Sequence, residues 1–169
     1  MKNKTELTDT LKEFSLPAYS EIPDVGLYLE QVARYINGYL SAFPDMEVTT
    51  SMISNYAKQK LFDRVNKKTY TREQIAVLIF IVMTKTVLSI DRIRMILQEI
   101  RSSETDIPQY YDTFRMMLKD VLESFSDSSA TLQKRMSTDT DKMLENVVIT
   151  IGHKMYLEKY FDLSETVSE

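Results

Sequence analysis

The chain has no cysteine and no tryptophan, a single histidine, three glycines and four prolines in 169 residues. Without cysteine there can be no disulfide framework and no thiolate metal site, and the absence of thiols fits a reducing cytoplasm. Sandwiches and barrels draw heavily on glycine and proline for their turns, so their scarcity argues for helices. His153, the lone histidine, lies in an apolar-rich helix and reads as a packed or surface residue before a catalyst, with no second histidine or cysteine to build a usual zinc or nucleophile–base site. Gly26, Gly38 and Gly152 are too far apart to form a phosphate-cradling loop. The most apolar run, Ile75 to Leu88, is broken by Thr84, Lys85 and Thr86 and is too short to span a bilayer. Met1 to Phe14 is polar and lacks the apolar core of a signal peptide. These absences lead to an expectation of a cytoplasmic, non-enzymatic protein with no cofactor, no metal and no membrane partner.

What is present is a hydrophobic share of 43% beside 27% charged residues, the balance of a folded globular chain rather than a disordered one. The net charge is −4, but it is unevenly spread. Lys58, Lys60, Arg64, Lys67, Lys68 and Arg72 face only one anion, Asp63, within fifteen residues. That is a local surplus of five positive charges, which leaves the remainder at about −9. A small basic face on an acidic body suits phosphate contact through that face alone. The plainer reading is that charge runs on helical proteins are solvated surface.

Hydrophobic spacing divides the chain into a polar arm (1–15, expected to be flexible), a helical head (16–101), a linker (102–108), a helical C-terminal part (109–163) and a tail (164–169). In the head, Asp24 is placed to cap a helix running to about Ala42, with Leu29, Val32, Ala33, Ile36 and Leu40 as its buried stripe. Thr49 caps a short helix to Lys60, with Met52, Ile53 and Tyr56 inward. A compact basic hairpin is expected from Leu61 to Tyr70, anchored by Leu61 and Phe62 and turning at Asn66. Thr71 and Gln74 form a capping box that opens a central apolar helix to Leu88. Ser89 caps the next helix, with Ile90, Ile93, Ile96 and Leu97 inward. Beyond Pro108, two amphipathic helices follow. One carries Tyr111, Phe114, Leu118, Val121 and Leu122; the other, entered near Ser137 to Asp141, carries Leu144, Val147, Val148, Ile151 and Met155.

Side-chain chemistry points to one constellation above the others. A helix fits the major groove when small polar residues let its backbone approach and Lys or Arg reaches phosphate. Thr50, Ser51, Ser54, Asn55 and Lys58 would form that face, with Asn55 suited to a bidentate adenine contact. Arg64, Lys67, Lys68 and Arg72 would hold the flanking backbone. The same pattern also serves as a mere packing unit. Asp139, Asp141 and Glu145 read as helix-dipole partners rather than metal ligands. The Met116–Met117 and Met155–Tyr156–Tyr160 groups read as core or subunit interface before ligand cavity.

The segments TTSMISNYAKQKLF (residues 49–62), KKTYTREQIAVLIF (67–80) and LSIDRIRMIL (88–97) resemble the DNA-binding head of the MerR family: a recognition helix, a wing ending in a basic residue and Tyr70, and a serine-capped helix. Lys68 stands where that family has an arginine. Together with LPAYSEIPDVGLYLEQVARYIN (16–37), they resemble the bacterial domain of unknown function 1836 over roughly Leu16 to Arg101. The chain departs from MerR readers in a shorter wing without glycine, and in Ser51 and Asn55 where arginine and tyrosine are usual. A longer first helix and turn, and the lack of a long uninterrupted coiled-coil helix, are further departures. The resemblance implies an all-α fold with a short two-stranded wing, a MerR-like winged helix-turn-helix followed by a helical C-terminal part. It also implies double-stranded DNA as partner, and the helices beyond Pro108 are expected to form a homodimer, since a dimer doubles a weak half-site contact. The alternative is a helical protein-interaction or ligand-sensing module that has lost DNA binding.

Overall fold

The computed structural model describes residues 2–63, 68–126 and 138–165. They are mostly helical, with one two-stranded antiparallel sheet. None of the described helices is long and apolar enough to cross a membrane. The chain divides into two compact units, one spanning Pro17–Thr113 and the other combining Met1–Leu16 with Phe114–Glu169.

In the first unit the organising element is α4 (Arg72–Thr84), because its apolar surface runs all the way round rather than along one stripe. Every residue from Gln74 to Thr84 is buried. It starts at the expected capping box: Gln74 N–H donates to Thr71 Oγ1 (3.3 Å), and Thr71 N–H donates to Gln74 Oε1 (2.9 Å). It ends at Thr84, short of the expected Leu88. There the buried Thr84 hydroxyl donates back to Phe80 O at 2.6 Å, and the chain turns through Lys85–Leu88. Three further helices of this unit, α2 (Leu29–Tyr39), α3 (Thr50–Lys58) and α5 (Ile90–Ser102), each bury one stripe: Val32, Ala33 and Ile36; Ile53 and Tyr56; Ile93, Ile96, Leu97 and Ile100. Thr49 and Ser89 cap α3 and α5 as anticipated, accepting from Met52 N–H (3.2 Å) and Arg92 N–H (3.4 Å).

Two expectations about this unit are corrected. Asp24 does not cap α2. Gly26 turns the chain in the left-handed region (φ +73°), and a Cβ there would sit 3.0 Å from Thr69 Oγ1. Strand β1 (Leu27–Tyr28) follows, and the helix starts only at Leu29, with Tyr28 N–H donating to Gln31 Oε1 at 2.9 Å. The ribbon is also not a local hairpin within Leu61 to Tyr70. Strand β2 (Thr69–Tyr70) pairs antiparallel with β1, Leu27 opposite Tyr70 and Tyr28 opposite Thr69. The basic segment is therefore tied to the chain before α2, a pairing across some forty residues that no local turn signal announces.

The second unit is built from α1 (Lys2–Glu13), the later turns of α6 (Ile107–Ser124) and α7 (Asp139–Glu165). The stretch 1–15, expected to be a flexible arm, is largely helix. Leu7, Leu11 and Phe14 fall at i, i+4 and i+7 and are buried, and α1 packs against α7. Three apolar residues on one face suffice to hold a helix whose overall composition is polar. Helix α7 opens on a capping box of Thr138 and Asp141, with bonds of 3.1 and 3.2 Å. It buries Leu144, Val147, Val148, Ile151, Gly152 and Met155. Gly152 is the contact point with α6: a Cβ there would overlap Val121 Cγ1.

Candidate nucleic-acid interface

Burial of Ile53 and Tyr56 fixes the rotation of α3, so the opposite side of the helix must face outward. Ser51, Asn55 and Lys58, at i, i+4 and i+7, are exposed along that side, while Thr50 and Ser54 are half-buried on its flank. The helix is stopped cleanly. Lys60 takes the left-handed conformation (φ 55°), Lys60 N–H donates to Ala57 O (3.0 Å) and Leu61 N–H to Tyr56 O (3.2 Å). This is a Schellman ending with the buried Leu61 and Tyr56 as its apolar partners.

Several side chains outside the expected set hold this arrangement. Asn37, on α2, makes two hydrogen bonds to one residue: its amide donates to Val48 O (2.9 Å), and its carbonyl accepts from Val48 N–H (2.8 Å). Val48 is buried, so this clamp fixes the backbone just before α3 begins. At the far end of α3, Arg94 from α5 reaches Gln59 O (3.3 Å) and Arg101 reaches Leu61 O (2.9 Å). The first bond satisfies the carbonyl of the residue that caps the helix, and the second a carbonyl just past its end. Gln74 Nε2 donates to Asp63 O at 2.6 Å. The two described ends of the basic segment are thus held in place, Leu61–Asp63 by Arg101 and Gln74 and Thr69–Tyr70 by β1.

Lys58 and Lys68 are exposed, as is Lys60 between them in sequence. Arg72 is placed otherwise than the sequence reading had it. Its Nε donates to Ile22 O (2.8 Å), its guanidinium lies over the Tyr19 ring at 5.7 Å, and it comes within 3.9 Å of Asp24. It ties the approach segment to α4, and its side chain is only 27% exposed. Arg64 and Lys67 lie outside the described residues, as do Val65 and Asn66.

Behind Arg72 there is a cleft of about 410 Å³ floored by Phe62, Val77 and Ile107. Its polar lining mixes signs: Arg72 and Arg101 against Asp24, Asp63 and Glu73. Among the described residues, no group of three or more His, Asp or Glu is arranged to hold a metal ion.

The model of a domain of unknown function (DUF1836) matches residues 17–114, more than half of the chain. The chain belongs to this family. No curated protein and no solved structure matches it. The DUF1836 match begins at Pro17 and ends at Phe114, so it takes in the whole α3 face, the β1–β2 ribbon and the clamps around them.

Proposed function

We propose that this DUF1836 protein is a cytoplasmic DNA-binding transcriptional regulator of MerR-like type. It reads double-stranded DNA with α3 and acts as a homodimer through its C-terminal helices. The observation that carries the reading is the outward face of α3. Ser51, Asn55 and Lys58 are exposed on a helix whose two ends are clamped by Asn37 and Arg94. A helix that enters a groove must present small polar side chains with a cation at its margin and must not shift as it docks. Lys58 and Lys68 take phosphates, and Asn55 supplies the base contact. Arg72, engaged with Ile22 and Tyr19, is assigned to the scaffold instead. The reading assigns no catalytic role to any residue.

The test is a titration of the protein on random-sequence duplex across a range of salt. Each phosphate contact removed should flatten the salt dependence of log K by about 0.9. Lys58→Ala and Lys68→Ala are expected to do so one step each. Asn55→Ala should leave the slope alone and change the preference among sequences. Absence of binding at low salt, or an unchanged slope in the Lys58→Ala/Lys68→Ala protein, would sink the reading. A second reading, a ligand-sensing module without DNA binding, draws on the 410 Å³ cleft with its two guanidinium groups. That volume lies in the range of small-molecule sites. A failed titration favours it.

A further inference from the structure

Among the described residues, three of the seven exposed large apolar side chains fall within five residues near the end of α7: Leu157 (52%), Tyr160 (48%) and Phe161 (59%). They are not stray ends of the core stripe. At 100° per residue, Leu157 lies about 160° round the helix from the buried Met155. Where the core stripe would continue, the sequence turns polar, with Lys159 and Asp162. Helix α7 therefore carries a second apolar face on its opposite side, confined to its last turns. That face is organised by ring contacts. Phe125 lies 5.0 Å from Tyr156, Tyr156 stacks on Tyr160 at 6.5 Å, and Tyr160 meets Phe161 edge-on at 5.4 Å. Exposed His153, Leu157, Tyr160 and Ser164 follow one another at spacings of four, three and four and so share one face of the helix, a short seam that is apolar at its centre and polar at its ends.

The charges beside the seam indicate which helix. Lys154 and Glu165 are about three turns apart and lie on the same flank, about 20° apart around the axis. Lys154 is held to Glu158 at 2.7 Å, which orients its ammonium group on that flank. If a second copy of α7 runs antiparallel along the seam, Lys154 of each copy meets Glu165 of the other, twice by symmetry. In a parallel pairing the two copies of this flank would lie on opposite sides of the seam, and Lys154 and Glu165 would not meet.

We propose that the last three turns of α7 form a self-complementary surface that pairs antiparallel with the same turns of a second copy of this chain. The inference rests on the dimer half of the function proposed above and on none of its DNA half.

The experiment is sedimentation equilibrium of the full chain, without DNA, over a wide concentration range. The native chain is expected to dimerise. Leu157→Glu with Phe161→Glu should leave a monomer of unchanged helicity, since both side chains are exposed. Lys154→Glu and Glu165→Lys should each weaken the dimer about five- to ten-fold, because each substitution replaces two attractive contacts with two repulsive ones. The Lys154→Glu/Glu165→Lys double exchange should restore native affinity. A chain that stays monomeric at all concentrations overturns the proposal. So does a dimer that survives Leu157→Glu/Phe161→Glu, or a double exchange as weak as the single ones; the last two would point to a different surface. Should the Leu157→Glu/Phe161→Glu protein lose helicity, the charge-exchange series decides alone. Loss of DNA binding with the dimer intact would count only against the DNA half.

Discussion

Replacing Asn37 with alanine removes both hydrogen bonds that hold Val48, and with them the side-chain clamp from α2 on the start of α3. Each such bond contributes about 1 kcal/mol net, and Val48 is buried, so water is poorly placed to substitute. Against this loss of about 2 kcal/mol, alanine gains about 0.5 kcal/mol over asparagine in helix propensity within α2. The net expectation is about 1.5 kcal/mol, felt where α2 meets α3. Asn37→Asp is the sharper control. It keeps an acceptor for Val48 N–H but turns a carboxylate oxygen towards Val48 O in place of a donor. It also puts a negative charge in the last turn of a helix, where the dipole disfavours it. It should therefore cost at least as much as alanine, despite its closer shape. Native-state amide exchange followed by NMR at Ile53 and Tyr56 reads the effect directly, because their amides report on the opening of α3. The alanine protein should exchange about ten-fold faster at these amides, corresponding to roughly 1.4 kcal/mol. Exchange within two-fold of the native rate, or an aspartate variant indistinguishable from native, would refute the view that this clamp positions α3.

Two further outcomes follow from local geometry. Glycine to alanine inside a helix ordinarily stabilises, but Gly152→Ala should lower the unfolding temperature, because its methyl group overlaps Val121; the cost is about 1–3 kcal/mol, and Val121→Ala in the same chain should recover most of it. A Gly152→Ala protein that melts higher than native would contradict the close approach of α6 and α7. Lys60 occupies a left-handed position at the end of α3, so Lys60→Gly should stabilise by about 1 kcal/mol, readable as a rise in the urea midpoint. Lys60→Val, β-branched in the same conformation, should move the midpoint the other way.

Much of the secondary structure was legible because its determinants are local. The caps at Thr49, Thr71 and Ser89 each need one hydroxyl and an amide two or three residues on, so the sequence carries both halves of the contact. The buried stripes of α2, α3 and α5 repeat at helical spacing and can be counted directly. The outward placement of Ser51, Asn55 and Lys58 followed from those stripes. The arm 1–15 was misjudged because mean polarity outweighed the thin Leu7–Leu11–Phe14 stripe. Asp24 was chosen as a cap for its side chain alone. Gly26, two residues on, decided otherwise by turning the chain into β1.

The scarcity of glycine and proline, the caps and the periodic stripes set the helical class and the faces of its helices by themselves, since caps and stripes depend on residues within a few positions of one another. Tertiary structure alone decided the rest. It paired Leu27–Tyr28 with Thr69–Tyr70, drew Arg72 away from the basic surface to Ile22 and Tyr19, and placed Asn37, Arg94 and Arg101 on the backbone at the two ends of α3. Those contacts join residues far apart in sequence, and a guanidinium or an amide takes whichever unsatisfied carbonyl the packing of the helices brings within reach.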